Sequence, residues 1–174
     1  SDDQEVVRTR KRIVKDELNT APNGEQHWFH TVKVPLLRSN GTVEVLSIST
    51  DITERKKAED ALIESEERFR VMADTAPVLI WVSGLDKGCT FFNKAWLEFT
   101  GRPMVEELGL GWTDNIHPDD YERCLTTYVT AFDARQDFEL EYQLGRHDGA
   151  YRWVVDKGTP RLGSDGSFGG FIGG

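Results

Sequence analysis

Apolar and polar side chains alternate in three runs near the start of the chain, and turn-forming residues separate the runs. Alternation with a period of two is typical of half-buried strands, and Asn-Gly or Asp-Gly pairs supply the positive φ angles of tight hairpin turns. The pattern therefore predicts a three-stranded antiparallel meander with strands at about 13–20, 26–37 and 42–50. A similar pattern near the end of the sequence predicts strands at about 138–144, 151–160 and 167–172.

The two predicted meanders are copies of one internal repeat. The segment from Asn23-Gly24 to Asn40-Gly41 returns without gaps as Asp148-Gly149 to Asp165-Gly166, so the offset is 149 − 24 = 125 residues. At this offset Trp28 corresponds to Trp153, and Pro35 corresponds to Pro160. An aromatic residue, a proline and two turns thus keep their spacing, which chance rarely produces.

A charged stretch without Gly or Pro lies between the two meanders. From Glu54 to Arg70 there are six acids and five bases, a composition that favours a solvated helix. Asp51 and Glu54 resemble a capping box, and Thr53 is a competing cap. The sequence therefore predicts a linker helix over residues 54–73.

Small and apolar side chains along this helix are spaced by alternating steps of four and three residues. The positions are Ala58, Leu62, Ser65, Phe69, Met72 and Ala76. Such a heptad seam is typical of a parallel coiled coil between two protomers. Because the seam is short and contains a serine, a helix that lies on its own domain's sheet is an equally good interpretation.

Further elements are predicted between the linker helix and the second meander. Two strands at 78–83 and 89–92 precede a short helix that Asn93 caps and Gly101 ends, a helical turn at 105–108 and a longer helix from His117 to about Arg135. This order of strands and helices predicts an α+β fold in which an antiparallel sheet carries helices on one face.

Composition narrows the possible functions. The formal net charge is −9 and the pI is about 4.9, which argues against a nucleic-acid-binding surface. No apolar run approaches the roughly 20 residues of a membrane helix, and no signal peptide is evident, so we expect a cytoplasmic protein without a membrane partner. Cys89 and Cys124 have no CxxC partner and no neighbouring histidine cluster, so we expect two partly buried thiols and no metal site.

Several short motifs follow one another over nearly the whole chain. They are Asp51-Ile52-Thr53-Glu54, Glu67-Arg68-Phe69-Arg70 before Ala76-Pro77, Asn93-Lys94-Ala95-Trp96 before Phe99-Thr100-Gly101, His117-Pro118-Asp119-Asp120, and Tyr151-Arg152-Trp153 with Thr159-Pro160. Together they resemble the PAS domain family of signalling sensors.

The resemblance implies a division of the chain. Residues 1–53 are similar to the C-terminal part of a first PAS domain, residues 54–73 form the linker, and residues 67–174 are similar to a second PAS domain with a five-stranded sheet. The second domain stops before its own Asp-Ile-Thr motif, which the offset would place at 51 + 125 = 176. A domain without half of its core buries little apolar surface, so we expect residues 1–50 to pair with another sheet edge, by docking or by exchange within a homodimer.

The resemblance also implies a function. The chain is similar to sensory modules that sense a small ligand or a redox cue. Their output domain, typically a histidine kinase or a diguanylate cyclase, lies elsewhere in the same polypeptide. No GxSxG, GxxxxGK[ST] or HExxH motif occurs, so we expect no enzymatic activity from this segment. We expect Asp51 and Thr53 to pass the signal from the last strand of the first meander into the linker helix.

PAS domains usually enclose a small apolar cavity between sheet and helices, and apolar residues here are its candidate lining, although cores have the same composition. The candidates are Ile80, Val82, Phe91, Phe92, Trp96, Phe99, Trp112, Tyr128, Phe132, Phe138 and Trp153. If Ile80 and Val82 face the cavity, Trp81 faces outward, toward the linker or a partner. Trp81 then joins Ala58, Leu62, Phe69 and Met72 as a candidate for the dimer seam.

Cofactors known in the family can be compared with this sequence. Light-sensing members use a cysteine in an Asn-Cys-Arg context, which neither Cys89 nor Cys124 has, and haem-binding members carry a histidine on the long helix, which residues 119–135 lack. We therefore expect a small organic ligand or none, and flavin binding stays open. The alternative function is a ligand-free PAS module that dimerises and acts as a spacer.

Overall fold

Two antiparallel sheets organise the chain, one in each half. In a computed structural model that describes residues 1–174, the chain separates into two units, Ser1–Glu66 and Glu67–Gly174. The first unit contains a three-stranded sheet and the second a five-stranded sheet. No helix is both long and apolar enough to cross a membrane.

The first unit is a meander preceded by a short helix. Its elements are α1 (Asp2–Thr9), β1 (Ile13–Thr20), β2 (Gln26–Leu37) and β3 (Val43–Asp51), with the strands in sequence order. Both β1 and β2 have the predicted bounds, and β3 begins and ends one residue later than predicted.

Helix α1 was not predicted. It covers the face of the sheet that carries Lys15 and Lys33, which form ion pairs with Asp2 and Asp3, respectively. Val6 of α1 is fully buried. Arg10 ends the helix with a left-handed backbone at φ 55°.

Helix α2 (Thr53–Thr75) begins two residues after the end of β3 and is two residues longer at its C-terminus than predicted. The predicted capping box between Asp51 and Glu54 does not form. Asp51 instead accepts a hydrogen bond from the backbone N–H of Thr53 at 2.9 Å, and Glu54 pairs with Lys57 at 3.0 Å.

The second unit has the predicted order of strands and helices. Its elements are β4 (Trp81–Ser83), β5 (Cys89–Phe92), α3 (Lys94–Thr100), α4 (Met104–Glu107), a 3-10 helix (Gly111–Asn115), α5 (Pro118–Ala134), β6 (Phe138–Gly145), β7 (Tyr151–Leu162) and β8 (Phe168–Gly173). The sheet order is β5-β4-β8-β7-β6, and the fold is α+β as predicted. Asn93 caps α3 and Gly101 ends it, also as predicted.

Strand β4 is shorter than the predicted strand at 78–83. The side chain of Asn93 explains the difference, because its amide donates to the carbonyl of Val78 at 2.8 Å and accepts from the N–H of Ile80 at 2.9 Å. Backbone groups that would pair with a neighbouring strand are therefore satisfied by a side chain.

The internal repeat extends to strand register. Ile13 pairs with Lys33 in the first sheet, and Phe138 pairs with Gly158 in the second, so both partners keep the offset of 125. The helices before the two meanders end alike, since Arg135 also has a left-handed backbone, at φ 53°.

The repeat is interrupted at one point in β8. The register between β7 and β8 shifts between Pro160 and Leu162, so that Pro160 pairs with Phe171, whereas the equivalent Pro35 pairs with Val45. A bulge with one extra residue in β8 accounts for this shift. Gly170 lies in the bulge at φ 100°, where an added Cβ would come within 2.2 Å of the carbonyl oxygen of Ser83.

Candidate functional site

A small cavity lies in the core of the second unit, between the sheet and the helices. Its lining consists of Trp81, Cys89, Phe92, Trp96, Trp112, Cys124, Tyr128, Phe138, Leu140 and Asp156. The volume of the cavity is about 10 Å³, which is room for about one water molecule. The side chains as packed leave no space for a flavin ring.

Aromatic rings make up most of the cavity wall, and several of them contact one another edge to face. The ring of Tyr128 lies 5.8 Å from that of Trp81 and 6.0 Å from that of Trp112, at nearly perpendicular angles. Phe92 and Trp96 lie 4.8 Å apart. Edge-to-face pairs add to the stabilisation from burial and favour fixed side-chain positions.

Asp156 is the one carboxylate in the cavity wall. Its side chain projects from the middle of β7 and accepts a hydrogen bond from the indole N–H of Trp81 at 2.8 Å. Only 8% of the residue is exposed. Burial raises the pKa of the carboxyl to about 6, and the Trp81 hydrogen bond counters part of that rise.

Other buried polar groups lie in or near the wall. The indole N–H of Trp112 is buried without a hydrogen-bond partner. The hydroxyl of Tyr128 donates to the carbonyl of Lys87 at 2.7 Å. Glu107 is fully buried, and this burial raises the pKa of its carboxyl.

Neither cysteine in the wall has the properties of a reactive thiol. Cys89 and Cys124 are free and buried. Burial raises the pKa of Cys89 well above its usual value and that of Cys124 to about 12. Because the thiolate is the nucleophilic form, both side chains act as small apolar groups at neutral pH.

At its start, helix α2 is hydrogen-bonded to the sheet of the first unit. The backbone N–H of Trp28 donates to the hydroxyl oxygen of Thr53 at 2.9 Å, and the carbonyl of Trp28 accepts from the N–H of Ile52 at 2.8 Å. The Thr53 hydroxyl in turn donates to Asp51 at 2.6 Å. Both peptide groups of the strand residue are therefore used to hold the first turn of the helix.

The other end of α2 is hydrogen-bonded to the second unit through Asn93. This side chain is fully buried, and its amide N–H₂ donates to the carbonyls of Ala73 and Val78, each at 2.8 Å. Its oxygen accepts from the N–H of Ile80 and, at 3.1 Å, from that of Trp96. Nearby, the ring of Phe69 lies 5.3 Å from that of Phe91. Asn93 thus joins the helix end to the segment before β4 and to α3.

Comparison with known proteins agrees with this architecture. Two family models, both described as PAS fold, match residues 1–57 and residues 90–173. The chain belongs to the PAS family. Among solved structures, a PAS domain of an HTR-like protein from Haloarcula marismortui has a TM-score of 0.54 at 21% identity, covering 68% of this chain and 95% of that one. A PAS domain from Colwellia psychrerythraea has a TM-score of 0.52 at 19% identity, covering 62% and 91%, respectively.

Curated relatives of this PAS chain are much longer proteins. The uncharacterized protein y4lL of Sinorhizobium fredii is 44% identical over 138 residues, which are 79% of this chain and 16% of y4lL. The peroxide stress-activated histidine kinase mak1 of Schizosaccharomyces pombe is 26% identical over 145 residues, 75% of this chain and 9% of the kinase. The two-component sensor PprA of Pseudomonas aeruginosa is 24% identical over 163 residues, 87% of this chain and 17% of PprA. The chain spans less than a fifth of each.

The residues predicted to line the cavity lie in several different environments. Five of the candidates line the cavity: Phe92, Trp96, Trp112, Tyr128 and Phe138. Phe132 is buried in the surrounding core, and Phe99 packs against that core while partly exposed. Trp153 is 66% exposed, and its prediction as a lining residue is wrong because the alternation of β7 turns Asp156 inward and Trp153 outward.

The predicted orientation of β4 is reversed. Trp81 is a buried lining residue, and its prediction as an outward-facing seam residue is wrong. Residues that pair directly across antiparallel strands share a face, so Trp81 lies on the face of its partner Phe92, and Val82 lies on the face of its partner Phe91. Ile80, Val82 and Phe91 accordingly do not line the cavity.

The remaining seam candidates lie on α2. Leu62 and Met72 are each 60% exposed, Phe69 is 38% exposed, and Ala58 is also exposed. Over these residues the helix presents its apolar stripe to solvent.

Sequence reasoning missed Asp156, the only charged residue in the cavity wall. A signal was present, because Asp156 follows Val154 at an inward position of β7, where the alternation calls for an apolar side chain. The repeat offers a second signal, since at the offset of 125 Asp156 corresponds to Thr31 and both copies therefore carry a polar residue there. In the structure Thr31 is buried and forms hydrogen bonds to Glu17 at 2.9 Å and Ser49 at 3.0 Å.

Proposed function

We propose that this PAS chain is a sensory module that passes the state of its cavity, through helix α2, to an output domain elsewhere in the same polypeptide. The observation that carries the proposal is that α2 is hydrogen-bonded to a sheet residue, Trp28, at its start and to Asn93, beside the cavity, at its end. A continuous helix can transmit a displacement from one of these contacts to the other.

The contacts around Asn93 give a route from the cavity to the helix. Trp96 lines the cavity, and its backbone N–H donates to the same Asn93 oxygen that accepts from Ile80. A ligand that moves Trp96 also moves the Asn93 side chain, and with it the carbonyl of Ala73 at the end of α2. The Phe69–Phe91 contact provides a second route from β5.

At the other end of the helix, Asp51 and Thr53 are the relay residues. They link β3, the middle strand and the first turn of α2 through the hydroxyl of Thr53. A change in the twist of the first sheet therefore changes the position of that first turn.

The relatives support a kinase as output. Two relatives are described as a histidine kinase and a two-component sensor, which supports a histidine kinase as the output domain. We propose a cytoplasmic location for the segment. In this proposal the segment itself has no catalytic role, and the enzymatic activity belongs to the output domain.

We further propose that the module acts as a homodimer. The exposed stripe of Leu62, Phe69 and Met72 would form the seam, and burying it gives the apolar stabilisation that a solvated helix lacks. The edge strands β1 and β3 carry unpaired backbone groups, which makes strand exchange between protomers a second contribution to the dimer.

Native mass spectrometry of the purified chain tests the sensor function, followed by denaturing mass spectrometry and an absorbance spectrum of the same sample. We expect a dimer with excess mass that is lost on denaturation. A dimer that carries no extra mass, and that gains none from small-molecule extracts of the host cells, would contradict the sensor function.

One observation favours a second candidate function. The cavity has room for about one water molecule as packed, which suits a ligand-free module that dimerises and spaces a distant sensor from its output. In that case the apo dimer is the functional form, and filling the cavity by mutation leaves signalling by the full-length protein unchanged.

A further inference from the structure

The cavity wall contains one acidic side chain and no basic one. Six of the ten lining side chains are aromatic, and Asp156 is the only one that carries a charge at neutral pH. No Lys, Arg or His lines the cavity. The Asp156 carboxylate gives the cavity a negative charge, and an aromatic ring attracts a cation that lies over its face.

No cationic side chain forms an ion pair with this carboxylate. The indole N–H of Trp81 is the hydrogen-bond partner of Asp156, and no cationic side chain contributes to the electrostatic environment of the carboxyl. A buried carboxylate without a cationic partner is costly. A protein tolerates that cost where the carboxylate has a further role.

We propose that the cavity binds a small organic cation, a protonated amine or a methylated ammonium, beside the Asp156 carboxylate and among the rings of Trp81, Trp112 and Tyr128. This inference rests on the proposed sensory function and specifies the ligand class. Aromatic rings with a buried carboxylate recognise such cations through cation–π attraction and a charge-assisted hydrogen bond.

Size and hydrogen bonding refine the ligand class. The free space holds a group about as large as a water molecule, which matches an ammonium group. The carbon atoms attached to that group displace side chains of the wall when the ligand binds. The unpartnered indole N–H of Trp112 is a donor in the wall. It suits an amine that also carries a hydroxyl or carbonyl oxygen.

A purely structural role for Asp156 makes a different prediction. If the carboxylate serves only to accept the Trp81 hydrogen bond, an amide oxygen at the same position does so equally well. Asp156→Asn keeps the acceptor and the shape but removes the charge, so it separates the two roles.

The test is a calorimetric titration of the whole chain at pH 7.5 and constant ionic strength with ethanolamine, and with ethylene glycol as its neutral isostere. We expect saturable binding of ethanolamine, no binding of ethylene glycol, and binding at least about tenfold weaker in Asp156→Asn. Glu141→Gln removes the same charge from an exposed position of the same sheet and should bind as the original chain does. Equal binding of both compounds, or full binding by Asp156→Asn, would overturn the proposal.

A second variant keeps the test decisive if Asp156→Asn folds poorly. Trp112→Phe retains an aromatic ring but removes the indole N–H, so it should weaken ethanolamine more than methylammonium, which has no oxygen. Equal effects on the two amines would remove the assigned donor role, and no binding of either amine to the original chain would overturn the cation site.

The ligand class and the sensory function fail separately. If the amines do not bind while native mass spectrometry finds a retained molecule of another class, the cation proposal fails and the sensory function stands. If the amines bind but leave the amide resonances of residues 67–75 unchanged, the cation site stands and the relay fails.

Discussion

The hydroxyl oxygen of Thr53 accepts a hydrogen bond from the backbone N–H of Trp28 at 2.9 Å, which connects the first turn of α2 to the middle strand of the first sheet. The same hydroxyl donates to Asp51 at 2.6 Å. Thr53 is 7% exposed, so water does not readily replace either bond. A threonine at this position therefore both begins the helix and fixes its position on the sheet.

Thr53→Val tests this connection, because valine keeps the shape and removes the hydroxyl. We expect a loss of about 1 kcal/mol in the free energy of unfolding and faster hydrogen exchange at the Trp28 amide. Thr50→Val makes the same change at an exposed position of β3 and should affect neither quantity. Unchanged exchange at Trp28 in Thr53→Val would show that the hydroxyl does not hold the strand.

Asn93→Asp is expected to destabilise the second unit strongly. The substitution preserves the acceptor oxygen but removes the N–H₂ group that satisfies the carbonyls of Ala73 and Val78. Leaving two buried carbonyls without donors, next to a new buried carboxylate, should cost about 2–5 kcal/mol in denaturant unfolding.

Asn40→Asp is the matched control for Asn93→Asp. Asn40 lies in an exposed turn and only accepts hydrogen bonds, from the N–H and hydroxyl of Thr42, which a carboxylate accepts as well. Its stability should change little. A similarly small effect of Asn93→Asp would contradict the described role of the amide.

Asp156 should give the chain a specific pH dependence. The folded-state pKa of about 6 lies above the ordinary 3.8, so the folded chain binds the proton more tightly than the unfolded chain. Stability from this group is therefore present at low pH and is lost as the pH rises through 6. The rise in the pKa from 3.8 to about 6 corresponds to about 3 kcal/mol.

The difference between the original chain and Asp156→Asn isolates this contribution from the other carboxyls. We expect the Asn variant to gain relative stability, up to about 3 kcal/mol, between about pH 4 and pH 7.5 in urea unfolding. The other titratable groups in the cavity wall, Cys89, Cys124 and Tyr128, have raised pKa values and stay neutral over this range. Parallel pH profiles for the two proteins would rule out a raised Asp156 pKa.

The proposed seam on α2 predicts that a charged side chain placed in it weakens dimerisation. Leu62→Glu places a carboxylate in the proposed seam and should raise the dimer dissociation constant at least about tenfold in sedimentation equilibrium. Ile63→Glu makes the same kind of change at a neighbouring exposed residue outside the seam and should have a smaller effect. If both substitutions act equally, or if the unmodified chain is a monomer, the seam is not the dimer contact.

Local signals in the sequence were sufficient for most of the fold. Turn pairs such as Asn23-Gly24 and the alternation between them fixed β1 and β2 to the residue, and Asn93 with Gly101 marked the ends of α3. The short helix α1 was missed because eight residues give little periodicity. Arg10 corresponds to Arg135 at the repeat offset of 125, and this correspondence could have indicated where α1 ends.

Side-chain direction in β4 was harder to predict. The strand has only three residues, and a pattern of apolar residues on both sides of Trp81 does not say which face is buried. The register with β5, which places Trp81 opposite Phe92, decides it, and register is a property of the assembled sheet. The cavity wall therefore contains Trp81 and Asp156, whereas the sequence pattern predicted Val82 and Trp153 there.

The most direct test of the account is whether a change inside the cavity reaches helix α2. Cys124→Leu adds carbon atoms to the cavity wall, and Thr126→Leu introduces the same residue at an exposed position of the same helix α5. In a two-dimensional NMR spectrum we expect Cys124→Leu to shift the amide resonances of residues 67–75, and Thr126→Leu to leave them in place. Shifts in Cys124→Leu that stay within the cavity wall and the sheet, with residues 67–75 unchanged, would contradict the relay.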